Sequence, residues 1–328
     1  MRPAARQGFE ALASCAVPDQ MLGERLSTYL KDAKGAFSDN TERAIRSDVE
    51  IFADWCEARG LSVLPARTDA LVAYIDAMAK VRAPATVRRY VFSIATVHKA
   101  VGLHNPLKRT GVKLALQRMH RKKGRRQEQV QGLTWPLRER MIEACGERLI
   151  DDRNRALLAV AYDTLLRRSE LVALEVSDLL AEVDGSGTVL VQRGKTDPNG
   201  EGALLYLAPD TLRLVKAWLS RSGLSRGRLF RSIRKSGQLG ARLDDSQVPR
   251  IFKGMAKAAG LGDDVVEGLS GHSARVGATQ DMIASGIELP AILQAGRWKS
   301  TSMVYRYGER LLAKRSGAAK LAELQQRS

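Results

Sequence analysis

Cysteine, histidine and aromatic side chains are scarce in this chain. Three cysteines, Cys15, Cys56 and Cys145, are scattered over 328 residues. They make no CxxC pair, which excludes a zinc knuckle or a disulfide framework on spacing grounds. Acidic residues are also short: 36 Asp and Glu face 53 Lys and Arg, a formal net charge of +17. No apolar run approaches the roughly 18 residues a membrane-crossing helix needs. No basic amphipathic helix carries a bulky apolar face either, so a membrane partner is not expected. The opening stretch MRPAARQGFEALASCAVPDQ lacks the sustained apolar core of a signal peptide. There is no GxxxxGK[ST] loop and no carboxylate cluster suited to two metals, so neither a nucleotide nor a metal cofactor is expected. A chain this basic is expected to meet a polyanion, nucleic acid first, because neutralising phosphates releases counterions. The expected location is a reducing compartment, the cytoplasm.

What is present is mostly helical periodicity. In SDNTERAIRSDVEIFADWCEARG, Ile45, Val49, Phe52 and Cys56 recur at helical spacing, with Ser38 or Asn40 at the start and Gly60 at the end. RTDALVAYIDAMAK repeats the pattern through Leu71, Ile75 and Met78. PATVRRYVFSIATVHKA follows, with Val87, Val91, Ile94 and Val97 on one face. Arg88 and Arg89 fall off that face. Six of the nine residues from Arg118 to Arg126 are Lys or Arg. Such a run repels itself and reads as an exposed linker. TWPLRERMIEACGER then opens a second helical region, with Thr134 as cap and Pro136 in the first turn. TVLVQ and ALLYL read as two short strands around a turn-rich cluster, and helices resume from TLRLVKAWLS to the end. The expected architecture is mainly α. A flexible segment, 1–20, precedes an all-helical domain, 21–117. A basic linker, 118–131, leads to a second, helical domain, 132–328, with one small antiparallel sheet.

Several side chains fit phosphate chemistry. Arg167 and Glu170 are three apart in TLLRRSELVALEV; by itself such a pair is usually a surface ion pair worth under about 1 kcal/mol. His272 and Arg275 are three apart in LSGHSARVGATQDMIASG and so share a helix face. Arginine grips nonbridging oxygens in bidentate fashion, and histidine moves a proton. Lys195 stands in the turn between the two strands, from which an ammonium can reach a site built by helices. AGRWKSTSMVYRY places Tyr305 and Tyr307 on one helix that Ser300 or Thr301 can cap. Residues two apart on a helix point roughly 200° from each other, so only one of these tyrosines can face a common site.

In this order and spacing, AYDTLLRRSEL, Lys195, GHSARVGA and QAGRWKSTSMVYRY resemble the tyrosine recombinases. The likeness runs from about Ser38 to the C-terminus. It implies the tyrosine recombinase fold and a site-specific recombinase that cleaves and rejoins DNA through a 3′-phosphotyrosyl intermediate and a Holliday junction. By position, Arg167 and Arg275 resemble the arginines that clamp the scissile phosphate. Glu170 resembles the acid that orients the first arginine, and Lys195 the general acid for the leaving 5′ oxygen. His272 resembles the histidine that assists proton transfer. Trp298, which stands where most relatives carry a second histidine, resembles the residue that hydrogen-bonds the phosphate. Tyr307, nine residues beyond Trp298, falls on the nucleophile position, and Tyr305 is then expected to serve packing. Arg168 and Arg297 are extra cations beside these motifs. The likeness further implies double-stranded DNA with inverted-repeat sites as partner, a homodimer on one site and a homotetramer at synapsis, with the protein at the nucleoid. A terminal helix in SGAAKLAELQQRS, after a break at Gly317, is expected to dock on the next protomer. Arg43, Arg88, Arg89, Arg121, Lys122, Lys123, Arg125 and Arg126 are the candidate DNA contacts. A type IB topoisomerase and a non-catalytic DNA-binding regulator are the rival readings.

Overall fold

The computed structural model describes residues 20–32, 37, 39–124, 126, 129–192 and 202–327. The chain divides into two compact units between Gln127 and Glu128. The apolar spacing of the first unit produces five α-helices among the described residues: α1 (Gln20–Asp32), α2 (Asp39–Glu57), α3 (Thr68–Val81), α4 (Pro84–Ala100) and α5 (Thr110–Lys123). Helix α2 packs on α4, and α3 on α5. Ile45, Val49, Phe52, Cys56, Leu71, Ile75, Val87, Val91, Ile94 and Val97 are all buried in this core. Phe52 and Trp55 meet the ring of Tyr74 edge-on at 4.9 and 5.3 Å, contacts worth about 0.5–1.5 kcal/mol each beyond the area they bury. Gly60 ends the α2 segment with a φ of +62°, a conformation that suits a residue without a β-carbon.

The basic run departs from the linker expected over 118–131. Arg118 to Lys123 continue helix α5, which ends at Gly124 with φ +74°. The reason is apolar spacing: Val112, Ala115 and Met119 are buried on one side and hold the helix to the core. The cations project outward, where water and local partners relieve their repulsion. Arg118 pairs with Asp76 at 3.2 Å, and Lys123 donates to the Arg82 carbonyl at 3.4 Å. Further along, Gln131 N–H donates to the Gly268 carbonyl and Leu133 N–H to that of Ser273. Residues 131–133 are therefore seated in the second unit.

The second unit opens with α6 (Trp135–Glu143) and α7 (Leu149–Thr164). Thr134 and Pro136 stand where expected, although the Thr134 side chain makes no capping bond. A short helix, α8 (Arg168–Leu171), leads to three strands: β1 (Leu179–Ala181), β2 (Gly187–Val191) and β3 (Ala203–Leu207). The sheet is antiparallel in the order β1-β2-β3, with Val189 opposite Leu205 and Leu190 opposite Leu204. Strand alternation sends Val189, Val191, Leu205 and Leu207 into the core and leaves Leu204 and Tyr206 exposed. Strand β1, at three residues, is too short to show a period in the sequence. The β2–β3 connection, residues 193–201, contains Lys195 and lies outside the described residues.

Helices complete the unit: α9 (Pro209–Ser222), α10 (Gln247–Ala258), α11 (Asp263–Gly268), α12 (Ser273–Ala284), α13 (Leu289–Gly296), α14 (Ser302–Tyr307), α15 (Glu309–Ala313) and α16 (Gly317–Leu324). Helix α7 is the central post, packed against α9 and α12. Gly317 does not break a helix; it begins α16, and the Ser316 hydroxyl accepts from the Ala319 N–H as its cap. None of the described helices is long and apolar enough to cross a membrane.

Candidate active site

Four local features bring the sequence motifs together in the second unit. The first is the end of α7, where Leu165 takes a left-handed conformation, φ 51°. The chain turns there, and Arg167 becomes the N-cap of α8. Within that turn Glu170 accepts from the Arg167 backbone N–H at 3.0 Å and from its Nη1 at 2.9 Å. The pair is therefore more than a surface ion pair, since the Glu170 side chain is only 5% exposed. Burial alone would raise the Glu170 carboxyl. The Arg167 N–H and the charges of Arg297 and Arg167 outweigh it and hold the group below its ordinary value.

The second feature is the turn before α12. The Ser273 hydroxyl accepts from Ser270 N–H, and the Ser270 hydroxyl accepts from His272 N–H. These bonds fix His272 as the N-cap of α12. Its imidazole keeps an exposed surface, yet crowding by protein atoms lowers its pKa, and Arg275, Arg168 and Arg167 lower it further. It is thus biased toward the neutral form, able to accept a proton.

Arg275, one turn into α12, is buried. Its guanidinium donates to the Leu165 carbonyl, and to that of Gly296 at 2.7 Å. Burial first, then the neighbouring Arg167, lowers its pKa to about 10, so it remains a cation at neutral pH. It also lies 4.5 Å from the centre of the Trp298 ring, an arrangement that favours a partly desolvated cation.

The third feature is the end of α13. Gly296 has no side chain because the Trp298 ring occupies that space: a β-carbon there would fall 2.1 Å from Trp298 Cε3. The fourth is α14. Tyr307 at its end meets Trp298 edge-on, with ring centroids 5.8 Å apart. Its carbonyl accepts from Gln129 Nε2 at 2.9 Å and from Gln280 Nε2 at 3.2 Å. Gly308 follows it, packed so that a β-carbon would fall 2.2 Å from Ile283 Cδ1 of α12. The helix that carries Arg275 therefore also fixes the backbone of Tyr307.

Arg167, Glu170, His272, Arg275, Trp298 and Tyr307 thus assemble in one place, and Lys195 lies outside the described residues. Tyr305 differs from the expectation that it serves packing: it is 55% exposed. Helix α14 turns Val304 into a small core with Ile283 and Ile292, which leaves the next residue facing outward. The two extra cations also find places. Arg168 pairs with Asp245 at 3.1 Å, and Arg297 reaches Glu170 at 2.5 Å. No sequence pattern marks Gln129, Gln280 or Arg297 as supports of the site. Their partners are distant in the chain. Of the candidate DNA contacts, Arg43, Arg88, Arg89, Arg121, Lys122, Lys123 and Arg126 are exposed, and Arg125 lies outside the described residues. Arg89 is also paired at 3.0 Å with the buried Asp48.

A cluster of arginines with a poised histidine and a tyrosine is the equipment of a phosphoryl-transfer enzyme that works through a covalent intermediate. The Phage integrase family model matches residues 137–312, a span that includes Arg167, Glu170, His272, Arg275, Trp298 and Tyr307. The chain is 28% identical to the recombinase Cre of Escherichia phage P1, over 97% of this chain and 97% of that protein. It is 32% identical to an integrase/recombinase XerD homologue of Selenomonas ruminantium, over 87% and 86% of the two chains. In fold it resembles the Tn1549 transposon integrase in complex with transposon right-end DNA, at a TM-score of 0.60 and 14% identity over 89% of this chain and 98% of that one. The chain belongs to the phage integrase family, and its activity is that of a site-specific tyrosine recombinase. That membership sets aside the topoisomerase and regulator readings.

Proposed function

We propose that this recombinase cuts duplex DNA with Tyr307 as nucleophile, at inverted-repeat sites. The Tyr307 phenol oxygen attacks the scissile phosphorus and gives up its proton. The P–O5′ bond breaks, leaving a 3′-phosphotyrosyl link and a 5′ hydroxyl. Arg167 and Arg275 neutralise the nonbridging oxygens as charge builds in the transition state, and Trp298 donates its indole N–H to them. His272, biased to the neutral form, assists proton transfer. Lys195 protonates the leaving 5′ oxygen. Attack of a 5′ hydroxyl from the partner strand reverses these steps and makes a Holliday junction. The phosphodiester energy is kept in the tyrosyl bond, so the reaction draws on no nucleotide hydrolysis. A homodimer occupies one site and a homotetramer pairs two, within the nucleoid of the cytoplasm.

The observation that supports this reading best is that Arg275 binds the ends of two other segments through the Leu165 and Gly296 carbonyls while stacked on Trp298, which in turn contacts Tyr307. The test is covalent capture on a nicked suicide duplex. Tyr307→Phe is expected to abolish the protein–DNA adduct while DNA binding persists, and Tyr305→Phe to retain the adduct. The opposite pattern would move the nucleophile to Tyr305.

A further inference from the structure

Arg297 occupies a position that does not suit an arginine. Its backbone is left-handed, φ 52° and ψ 45°, at the C-cap of α13. The cap itself uses only its N–H, which donates to the Gln294 and Leu293 carbonyls. Glycine would provide that N–H with less backbone strain. The side chain carries a second penalty, since its Nε is buried without a hydrogen-bond partner among the described residues. One contact offsets both: Nη2 donates to Glu170 Oε2 at 2.5 Å. Glu170 Oε1 meanwhile accepts from Arg167 Nη1 at 2.9 Å. One buried carboxylate is therefore held between two guanidinium groups, one on its own helix turn and the other 127 residues further along the chain from Glu170.

We propose that Arg297 is a positioning residue for strand cleavage: it anchors the Glu170 carboxylate and thereby sets the guanidinium of Arg167 for the scissile phosphate. The Glu170 oxygen that Arg297 holds, Oε2, also accepts the Arg167 backbone N–H at 3.0 Å, so Arg297 adds a charged second tether that restricts the tilt of the carboxylate and leaves Oε1 for the Arg167 guanidinium. Trp298, the next residue, faces Arg275 and Tyr307. The Arg297–Trp298 dipeptide thus links the Arg167 side of the site to the nucleophile side. This inference rests on the Tyr307 reaction proposed above.

The test compares Arg297→Gly, Arg297→Lys and Arg297→Gln with the native chain. The probe is a nicked duplex whose arm the protein has selected from a randomised pool. Arg297→Gly relieves the left-handed strain, so its melting temperature is expected to equal or exceed the native value. Its single-turnover cleavage is expected to fall about 10- to 100-fold, the scale of a misplaced catalytic group, with DNA affinity unchanged. Arg297→Lys should recover part of the rate, and Arg297→Gln should not. A pH profile gives an independent readout. Arg167, Arg297 and Arg275 are among the charged groups that face Glu170. Removing Arg297 raises the Glu170 pKa, so the acid limb of the cleavage profile should move to higher pH. Native cleavage by Arg297→Gly, an unmoved acid limb, or rate losses that follow losses of melting temperature would overturn the inference. Tyr307→Phe is run alongside: an adduct there would reject the Tyr307 reading itself, whereas its loss together with native cleavage by Arg297→Gly would reject only the role of Arg297.

Discussion

Gly277 sits where α12 lets another stretch of chain pass. A β-carbon at this position would lie 1.9 Å from the Leu133 carbonyl oxygen and 2.6 Å from its nitrogen. Both are backbone atoms and cannot swing aside. Two effects oppose each other in Gly277→Ala. Alanine is favoured over glycine in a helix by about 1 kcal/mol, whereas forcing extra volume into a packed interior costs about 1–3 kcal/mol. With backbone as the obstacle the clash dominates, so the variant is expected to lose roughly 2 kcal/mol and to melt about 4–8 °C lower. Calorimetry of the two proteins decides this. A variant as stable as the native chain would mean that residues 131–133 do not need their seat on α12. The seat matters because it lies two residues beyond Arg275 on the same helix.

Two elements behave differently from their composition. Helix α5 takes in charges that by themselves would resist folding, because Met119 extends the apolar face of Val112 and Ala115 by one more turn. Helix α16 is the reverse case. It has eight residues, with Leu321 49% and Leu324 82% exposed, and buries none of them. So short a helix is marginal alone, and each leucine stands to gain about 1.5–3 kcal/mol on full burial. That supports a role for the tail in joining protomers. Deleting residues from Gly317 onward is expected to leave single-site binding intact and to weaken pairing of two sites and recombination. Gel-shift and synapsis assays on the truncated chain measure this. Normal synapsis would remove the tail from assembly.

For the whole molecule, the net charge of +17 makes affinity for DNA depend steeply on salt. Every phosphate that the protein no longer neutralises lowers the slope of log K against log salt by about 0.9. The helical form of Arg121, Lys122 and Lys123 limits the basic run, since successive residues on a helix are about 100° apart and three of them cannot all face one DNA backbone. Replacing Arg121, Lys122, Lys123, Arg125 and Arg126 with Gln is therefore expected to lower the slope by roughly 2–3, short of the roughly 4.5 that five neutralised phosphates would give. Titrations at several salt concentrations give the value. An unchanged slope would show that the run is merely solvated. Arg89, already paired with buried Asp48, is expected to add less than Arg88.

Unlike α1 and α5, helices α2, α3 and α4 of the first unit, strands β2 and β3, and the motifs holding Arg167, His272, Arg275, Trp298 and Tyr307 could be read in the sequence. Each depends on near neighbours: apolar residues at a helical or alternating period, a cap, a fixed spacing. Helical geometry also established that only one of Tyr305 and Tyr307 can serve a common site, and the family likeness selected Tyr307. The sequence could not reveal that the basic run is helical, because burial of Met119 depends on the surface α5 packs against. Nor could it show Arg297 paired with Glu170 across 127 residues, or Gln129 and Gln280 converging on the Tyr307 carbonyl. Local propensity acts over a few residues and leaves a periodic trace. Ion pairs and close approaches between distant segments leave none, because they exist only after the helices have packed, and so the support of the candidate site was decided by the tertiary structure.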